Sequence, residues 1–265
     1  MEACIFLVCL GAPRVGGICG IGGGVIIKPV LDALGIMSVS AISFLSGLTV
    51  LAMSSVSVFR QRKLHLVDVR TGGLLGAGAV LGGIGGNALF QGIKDAAGND
   101  AFVGMAQAAA LGVVTLLTLA YSAWGRKRLP SYTVTSPAAC VLIGVLIGAS
   151  SSFLGIGGGP INLAILYFAF SMDTKTAAST SLYMILFSQA ANLLTYLVKG
   201  TLPAVSLHYL ALMVSAGLLG GALGANICKR ASARTTDRLF SALLAVIILI
   251  CMYNTWRFAG RLGIA

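Results

Sequence analysis

The chain has 265 residues, of which 57% are hydrophobic and only 9% are charged, and its mean hydropathy is +0.96. Soluble domains carry about 25% charged residues, so this composition excludes a water-covered surface and predicts an all-α protein that crosses a cell membrane several times. The net charge of +11 is expected from Lys and Arg retained in cytoplasmic loops, and no basic stretch carries the interleaved aromatic residues of a nucleic-acid site.

Six apolar stretches are long enough to cross a bilayer, which needs about 20 residues. Two further apolar regions, 3–34 and 138–170, are each longer than a single span but are interrupted by glycine clusters. The six predicted spans are residues 36–59, 71–90, 101–124, 176–198, 203–227 and 239–256.

The chain contains an internal repeat. The glycine cluster that ends in Gly22, Gly23 and Gly24 recurs in the second half as Gly157, Gly158 and Gly159. A second motif, GAVLGGIGGN at 78–87, recurs as GLLGGALGAN at 217–226, with a slightly larger offset. We therefore predict a first repeat over residues 1–125, a cytoplasmic connecting loop over 126–137 and a second repeat over 138–265.

The orientation of the two repeats depends on the glycine-broken segments. If each segment crosses once, there are eight crossings and parallel halves; if each is a re-entrant hairpin, there are six crossings and inverted halves. The hairpin arrangement collects most Lys and Arg residues on one side, whereas eight crossings place residues 229–238 opposite residues 60–63. The distribution of positive charge favours inverted repeats, each a broken segment plus three membrane helices.

Each glycine cluster is expected at the N-terminus of a half-helix, because the apolar run resumes after it and Pro160 suits a first helical position. Pro29 is predicted to have a structural role in the first half-helix. A helix N-terminus presents free N–H donors and partial positive charge, and glycines allow a ligand to approach the backbone. Two opposed N-termini would bind a small anion without a charged side chain.

Polar side chains near the clusters are candidates to complete this site. Asn162 follows the second cluster closely, and hydroxyl groups begin the span after each half-helix. Lys28 either attracts anions or extends to the membrane interface. The predicted substrate-binding set is Gly22, Gly23, Gly24, Gly157, Gly158, Gly159, Asn162, Ser43, Ser46, Ser179, Thr180 and Lys28.

These motifs resemble the TauE/SafE family of sulfite and organosulfonate permeases. The resemblance rests on GIGGG followed by Pro29, the second GIGGG at 155–159, and the Ala-Ser-Thr-Ser run at 178–181. It covers essentially the whole chain and implies a membrane transporter with a duplicated core for small sulfur oxyanions or sulfonates. One departure from the pattern is Ala164 at the position equivalent to Pro29.

The remaining polar residues indicate no cofactor, metal site or enzyme. The cysteines are scattered through apolar stretches, and all seven acids are expected at segment ends or in loops, so no intramembrane carboxylate is predicted. Asn87 and Asn226 are expected to cap helices or to join the halves.

The leading hypothesis is a secondary permease for a small anion in the lipid bilayer, with a passive anion channel as the alternative. Sequence leaves the anion, the direction and the choice between a monomer and a homodimer open.

Overall fold

The computed structural model describes residues 2–62, 68–125, 128, 130–156 and 158–262. These residues form ten α-helices and no strand, which confirms the prediction of an all-α protein. Helix α5 continues into a short π-helical turn, Tyr121–Gly125. In chain order the helices are α1 (Glu2–Cys19), α2 (Gly24–Leu34), α3 (Val39–Arg62), α4 (Val69–Ala97), α5 (Asp100–Ala120), α6 (Pro137–Leu154), α7 (Pro160–Phe170), α8 (Thr174–Lys199), α9 (Leu207–Arg230) and α10 (Ala233–Arg261).

Seven helices within the described ranges are long and apolar enough to cross a membrane. Six of them, α3, α4, α5, α8, α9 and α10, coincide with the predicted spans. The fifth predicted span started at Pro203, but α9 starts only at Leu207. The seventh is α6, which belongs to the second glycine-broken region.

The segments between α1 and α2 (residues 20–23) and between α6 and α7 (residues 155–159) are called the first and second glycine breaks. Helix α2 runs back along α1 after the first break. Gly20 has a left-handed φ of 79°, which a glycine adopts without strain, and it begins the reversal of the chain. A Cβ atom on Gly23 would lie 2.8 Å from the backbone nitrogen of Pro13. Further along α2, Ile27 shares an apolar cluster with Cys9 of α1. Later residues of α2 therefore meet earlier residues of α1, and the two helices form a hairpin.

Helix α7 reverses in the same way after α6. Gly155 ends α6 with a left-handed φ of 64°. At the far end of α7, the Val134 N–H donates to the Ala169 carbonyl at 2.9 Å, and the Ser171 hydroxyl donates to the Tyr132 carbonyl at 2.8 Å. Val134 and Tyr132 precede α6, so α7 ends beside the segment where α6 begins.

Helices α3 and α8, which occupy equivalent places in the two repeats, pack in opposite directions. The Phe44 ring, near the start of α3, lies 5.2 Å from the Tyr196 ring near the end of α8. Val58, near the end of α3, clusters with Leu182 near the start of α8. The equivalent pair α5 and α10 is antiparallel as well.

Small residues bring the backbones of the two halves together, and several of them have the GxxxG spacing that is typical of close helix crossings in membranes. Helix α4 lies on α6, and α9 lies on both α1 and α3, so each half packs against the other. The glycines at these contacts are Gly78, Gly82 and Gly86 against α6, Gly217 and Gly221 against α3, and Gly220 and Gly224 against α1. Gly72 and Gly76 lie against aromatic rings of α8.

Candidate functional site

Two helix N-termini lie buried at the glycine breaks. Helix α2 begins at Gly24 after the N-cap residue Gly23, and α7 begins at Pro160 after Gly159, which confirms the predicted helix starts. Neither N-cap residue makes a side-chain hydrogen bond to its helix. The first N–H groups of a helix have no intrahelical acceptor. Each break therefore places backbone N–H donors, which the helix itself does not satisfy, inside the protein.

The two breaks are in contact. A Cβ atom on Gly24 would overlap the carbonyl oxygen of Ile156, which lies within the second break. Of the other predicted glycines, Gly22 and Gly158 have left-handed φ values of 74° and 137°, and both are buried. Gly157 lies outside the described residues. The predicted glycine clusters therefore form one region rather than two separate features.

The contacts around the breaks are reciprocal. Gly20 of the first break lies against the backbone of Ala178 in α8, and Gly155 of the second break lies against the Ser43 side chain in α3. Gly20 and Gly155 are equivalent positions of the two repeats, and so are Ser43 and Ala178, because both pairs share the offset of the glycine clusters. Each break therefore packs against the helix that follows the half-helix of the other repeat.

Buried hydroxyl groups lie on α3 and α8, the two helices that contact the breaks. The predicted residues Ser43, Ser46, Ser179 and Thr180 are all buried, and none of their hydroxyl groups has a hydrogen-bond partner among the described residues. The Ser46 hydroxyl would lie 2.9 Å from a Cβ atom on Gly24. An unpaired hydroxyl in the interior costs free energy, so these groups indicate a place where a polar ligand or water binds.

Two further unpaired hydroxyls belong to Ser151 and Ser152, in the last turn of α6 before the second break. They are not among the predicted site residues, although the run Ser150–Ser152 directly precedes the break and could have indicated them. Asn162, which was selected, is 1% exposed, and its Oδ1 atom has no partner within the described ranges. It lies in the first turn of α7.

Asp32 lies near the C-terminus of α2, at a segment end as predicted, but its carboxylate is buried within the protein. Asp32 is only 6% exposed, and its Oδ2 atom accepts a hydrogen bond of 2.9 Å from Lys28 Nζ. Lys28 is 2% exposed, so its side chain is enclosed by the protein. The two residues face each other because they are one helical turn apart on α2. Lys28 Cε would lie 3.3 Å from a Cβ atom on Gly155, so the lysine reaches the second break.

Three residues outside the predicted set lie around this ion pair. Gln107 of α5 donates to the Phe153 carbonyl at 2.6 Å, and Asn254 of α10 donates to the Pro29 carbonyl at 2.8 Å. Arg257 donates to the carbonyl groups of residues 32 and 33 at the C-terminus of α2, where a cation is favourable. A polar residue within an apolar span was the signal for Gln107 and Asn254.

The predicted structural residues have defined roles. Pro160 occupies the first turn of α7, as expected. Pro29 lies within α2, and its carbonyl oxygen accepts a hydrogen bond from Asn254. Asn87 donates to Asn192 of α8, and Asn226 accepts a hydrogen bond of 3.0 Å from Arg60 of α3. Both asparagines therefore join the halves, which was one of the two alternatives, and neither caps a helix.

Comparison with known proteins identifies a transporter family. The family model described as "Sulfite exporter TauE/SafE" matches residues 5–250. Two similar proteins, from Xylella fastidiosa strains Temecula1 / ATCC 700964 and 9a5c, are both named "Probable membrane transporter protein". Each is 28% identical over 116 residues, which is 43% of this chain and 43% of the relative, so the match spans less than half of either relative. No solved structure matches the chain.

Proposed function

Because the chain belongs to the TauE/SafE sulfite exporter family, we propose that it is a secondary permease for a small anion: sulfite, a sulfonate or a related sulfur oxyanion. The anion binds between the two glycine breaks. Backbone N–H groups at the starts of α2 and α7 donate to its oxygens, and the buried hydroxyls complete the site.

The observation that carries this proposal is the pair of buried, uncapped helix N-termini. Gly24 and Val25 in α2, and Ile161 in α7, carry N–H groups that helix geometry leaves without an intrahelical acceptor. The positive ends of two helix dipoles add to these donors. An oxyanion with several acceptor oxygens satisfies both the N–H groups and the unpaired hydroxyls, so it fits the site better than a cation does.

The packing of the helices supports inverted repeats. The equivalent helices α3 and α8 run antiparallel, as do α5 and α10, and both half-helices return towards the end from which their broken segment started. Thr174 donates to Asp237 at 3.0 Å, which brings the start of α8 beside the start of α10. With six crossings and two hairpins, the basic loops of both halves share one side, as the positive-inside rule requires.

A carrier agrees with this packing better than a passive channel does. The first break closes directly onto the second through Gly24 and Ile156, so no open path passes between these two residues. Relative movement of the two repeats would separate the breaks and expose the site to one side at a time. A channel would instead need a continuous opening at this point.

The test is uptake into liposomes that contain the purified full chain, over a panel of sulfite, methanesulfonate, thiosulfate and sulfate. We expect saturable uptake and accelerated exchange when the same anion is present inside. The variant Asn162→Ala is expected to raise the half-saturation concentration about fivefold, because it removes the hydrogen bond that the Asn162 Nδ2 group donates to the anion, and one hydrogen bond contributes about 1 kcal/mol. Asn226→Ala, which alters a contact away from the breaks, is the matched control.

Three results would contradict the proposal. Uptake that does not exceed that of empty liposomes for any anion excludes the permease. Flux that rises linearly with concentration, without exchange, indicates a channel. An unchanged half-saturation concentration in Asn162→Ala places the anion elsewhere.

A further inference from the structure

A small cavity lies between α2, α5, α6 and α10, beside Lys28 and Asp32. Its volume is about 10 Å³, which is space for one water molecule. The polar residues that line it are Lys28, Asp32, Gln107 and Asn254, and each of them is at least nine-tenths buried. Apolar side chains, among them Leu111 and Leu154, form the remaining wall.

Hydrogen bonding fixes which atoms remain unpaired at this cavity. The amide nitrogens of Gln107 and Asn254 donate to backbone carbonyls, so these amides cannot be reversed without placing two oxygens together. Their oxygens, Oε1 and Oδ1, have no partner in the described part of the chain, and neither does Asp32 Oδ1. Three acceptor oxygens without donors in one small space indicate a site for a group that donates hydrogen bonds.

The other side of Asp32 faces a second, larger cavity. This vestibule has a volume of about 190 Å³ and is lined by Asp32, Gly35, Asp100 and Arg261, together with Ser38 and Phe258. Asp100 and Arg261 are exposed, so the vestibule reaches the protein surface. Asp32 therefore lies between a surface vestibule and a small interior cavity.

We propose that Asp32 is the proton-binding site of the transporter and that Lys28 couples its protonation to the anion. This inference rests on the proposed function. In the described state Lys28 Nζ pairs with Asp32 Oδ2. When an anion occupies the breaks, the Lys28 ammonium turns to it, and Asp32 loses its hydrogen-bonded cation, while Arg257 stays on the carbonyl groups of residues 32 and 33. A hydronium ion or water in the vestibule then transfers a proton to the carboxylate, so one proton moves with each anion.

The charged and titratable groups around Asp32 are consistent with this role. On its own helix it faces Lys28, and α10 contributes Arg257, whose guanidinium is held by the carbonyl groups of residues 32 and 33. α10 also contributes Cys251 to the small cavity, and Asp100 and Arg261 lie across the vestibule. Without Lys28, a buried carboxylate is costly, and protonation removes that cost.

A proton suits the cavity better than a sodium ion. A metal cation needs several oxygen ligands around it, whereas part of the wall of this cavity is apolar, with Leu111 and Leu154. The cavity holds only one water-sized group. The second repeat offers no equivalent site, because Leu163 and Tyr167 occupy the positions equivalent to Lys28 and Asp32.

The experiment follows anion uptake and internal pH together in liposomes that contain the full chain. Methanesulfonate, thiosulfate and sulfate are the probes, because they stay fully ionised near neutral pH and carry no proton themselves. We expect an inward pH gradient to drive anion accumulation in the wild-type protein, with acidification inside. In Asp32→Asn the acidification per anion is expected to fall to the background of empty liposomes, whereas Asp32→Glu retains it. Asp95→Asn, an exposed carboxyl on α4, is the matched control.

Infrared difference spectra upon addition of the anion provide a second measurement, even if Asp32→Asn does not transport. The wild-type protein is expected to gain the carbonyl band of a protonated carboxyl group, and this band shifts in Asp32→Glu. An unshifted band assigns the proton to another residue and overturns the proposal. Anion uptake without acidification, or uptake driven by a sodium gradient instead, also overturns it while leaving the permease intact. If none of these anions, nor sulfite, is transported, the proposed function itself fails.

Discussion

Gly24 lies so close to Ile156 that any side chain on Gly24 would overlap the Ile156 carbonyl oxygen. The contact joins the first turn of α2 in one repeat to the glycine break of the other. It explains why a glycine is required at the start of α2, where the backbone itself is in an ordinary helical conformation. The same contact closes the path between the two half-helices.

The first prediction concerns this contact. Gly24→Ala is expected to force the two breaks apart, to lower the stability by about 1–3 kcal/mol through overpacking, and to reduce anion uptake. Gly159→Ala, at the equivalent position of the second repeat, should be milder, because its Cβ atom would meet only the Ile156 Cδ1 atom at 3.1 Å. Thermal unfolding in detergent and liposome uptake measure both effects.

The control for this pair is Gly85→Ala in α4, where a Cβ atom would meet nothing within 4 Å. It is expected to match or slightly exceed the wild-type stability, because alanine favours a helix over glycine. If Gly24→Ala has the same thermal stability and anion uptake as Gly85→Ala, the two breaks are not in contact.

The second prediction concerns two equivalent hydroxyl groups. Ser46 and Ser181 occupy equivalent positions of the two repeats, both are fully buried, and neither hydroxyl has a partner in the part of the chain that the structure describes. Ser46→Ala and Ser181→Ala should each raise the half-saturation concentration for the anion about fivefold, because each removes one hydrogen bond of about 1 kcal/mol. Their folding stability should stay the same or increase, since an unpaired buried hydroxyl is lost.

Thr49→Val is the control for the hydroxyl variants. The Thr49 hydroxyl is buried but already donates to the Leu45 carbonyl of its own helix at 2.8 Å. Its removal is expected to leave the half-saturation concentration unchanged. If Thr49→Val weakens anion affinity as much as Ser46→Ala, the hydroxyls act through helix packing and not through the anion.

The sequence was sufficient to locate the breaks but not the ion pair. Consecutive glycines followed by Pro160 specify a helix start through local backbone geometry, and local geometry can be derived from neighbouring residues. Asp32 was assigned to a segment end because it closes an apolar run. The run does end there, but α2 folds back along α1, and its last carbonyl groups accept hydrogen bonds from Arg257, which is far away in the sequence. Contacts at such separations follow from packing and leave no local pattern.

The same reasoning explains why the roles of some amide side chains could be predicted from the sequence and those of others could not. Asn87 and Asn226 repeat at the same place in each half, so a shared role could be predicted from sequence. Gln107 and Asn254 have no such repeat; each is a polar residue within an apolar span, but only the structure shows that both line the cavity beside Asp32.

The third prediction concerns the stability of the Lys28–Asp32 pair. Lys28→Met or Asp32→Leu alone leaves one buried charge without its partner and is expected to cost about 3–5 kcal/mol. The double variant Lys28→Met/Asp32→Leu removes both charges and should recover most of that loss, although it should not transport with proton coupling. Chemical unfolding of the four proteins in detergent gives the coupling free energy directly.

Lys199→Met, at the exposed end of α8, serves as the control and should change the stability by less than about 0.5 kcal/mol. Additive losses from the two single variants would show that Lys28 and Asp32 do not interact in the folded protein.

The fourth prediction concerns the start of α8, outside the membrane-spanning segments. Asp173 is the N-cap residue of α8 and accepts from the N–H groups of Lys175 and Thr176 at 3.1 Å and 3.4 Å. Partial burial raises the pKa of Asp173, but the hydrogen bonds from Thr176 and Lys175 outweigh it and hold the pKa below its usual value. A lowered pKa means that the cap stabilises the folded protein above the unfolded-state pKa, and that this stabilisation is lost as the pH falls through the folded-state pKa.

Asp173→Ala is therefore expected to cost about 1 kcal/mol at neutral pH, and the difference from the wild-type protein should shrink as the pH is lowered through the acid range. Asp173→Asn retains a capping oxygen that does not titrate, so its advantage over Asp173→Ala should persist in acid. Thermal unfolding of the three proteins in detergent over a series of pH values measures both trends. A difference between wild-type and Asp173→Ala that is independent of pH would show that the carboxylate charge does not contribute to the cap.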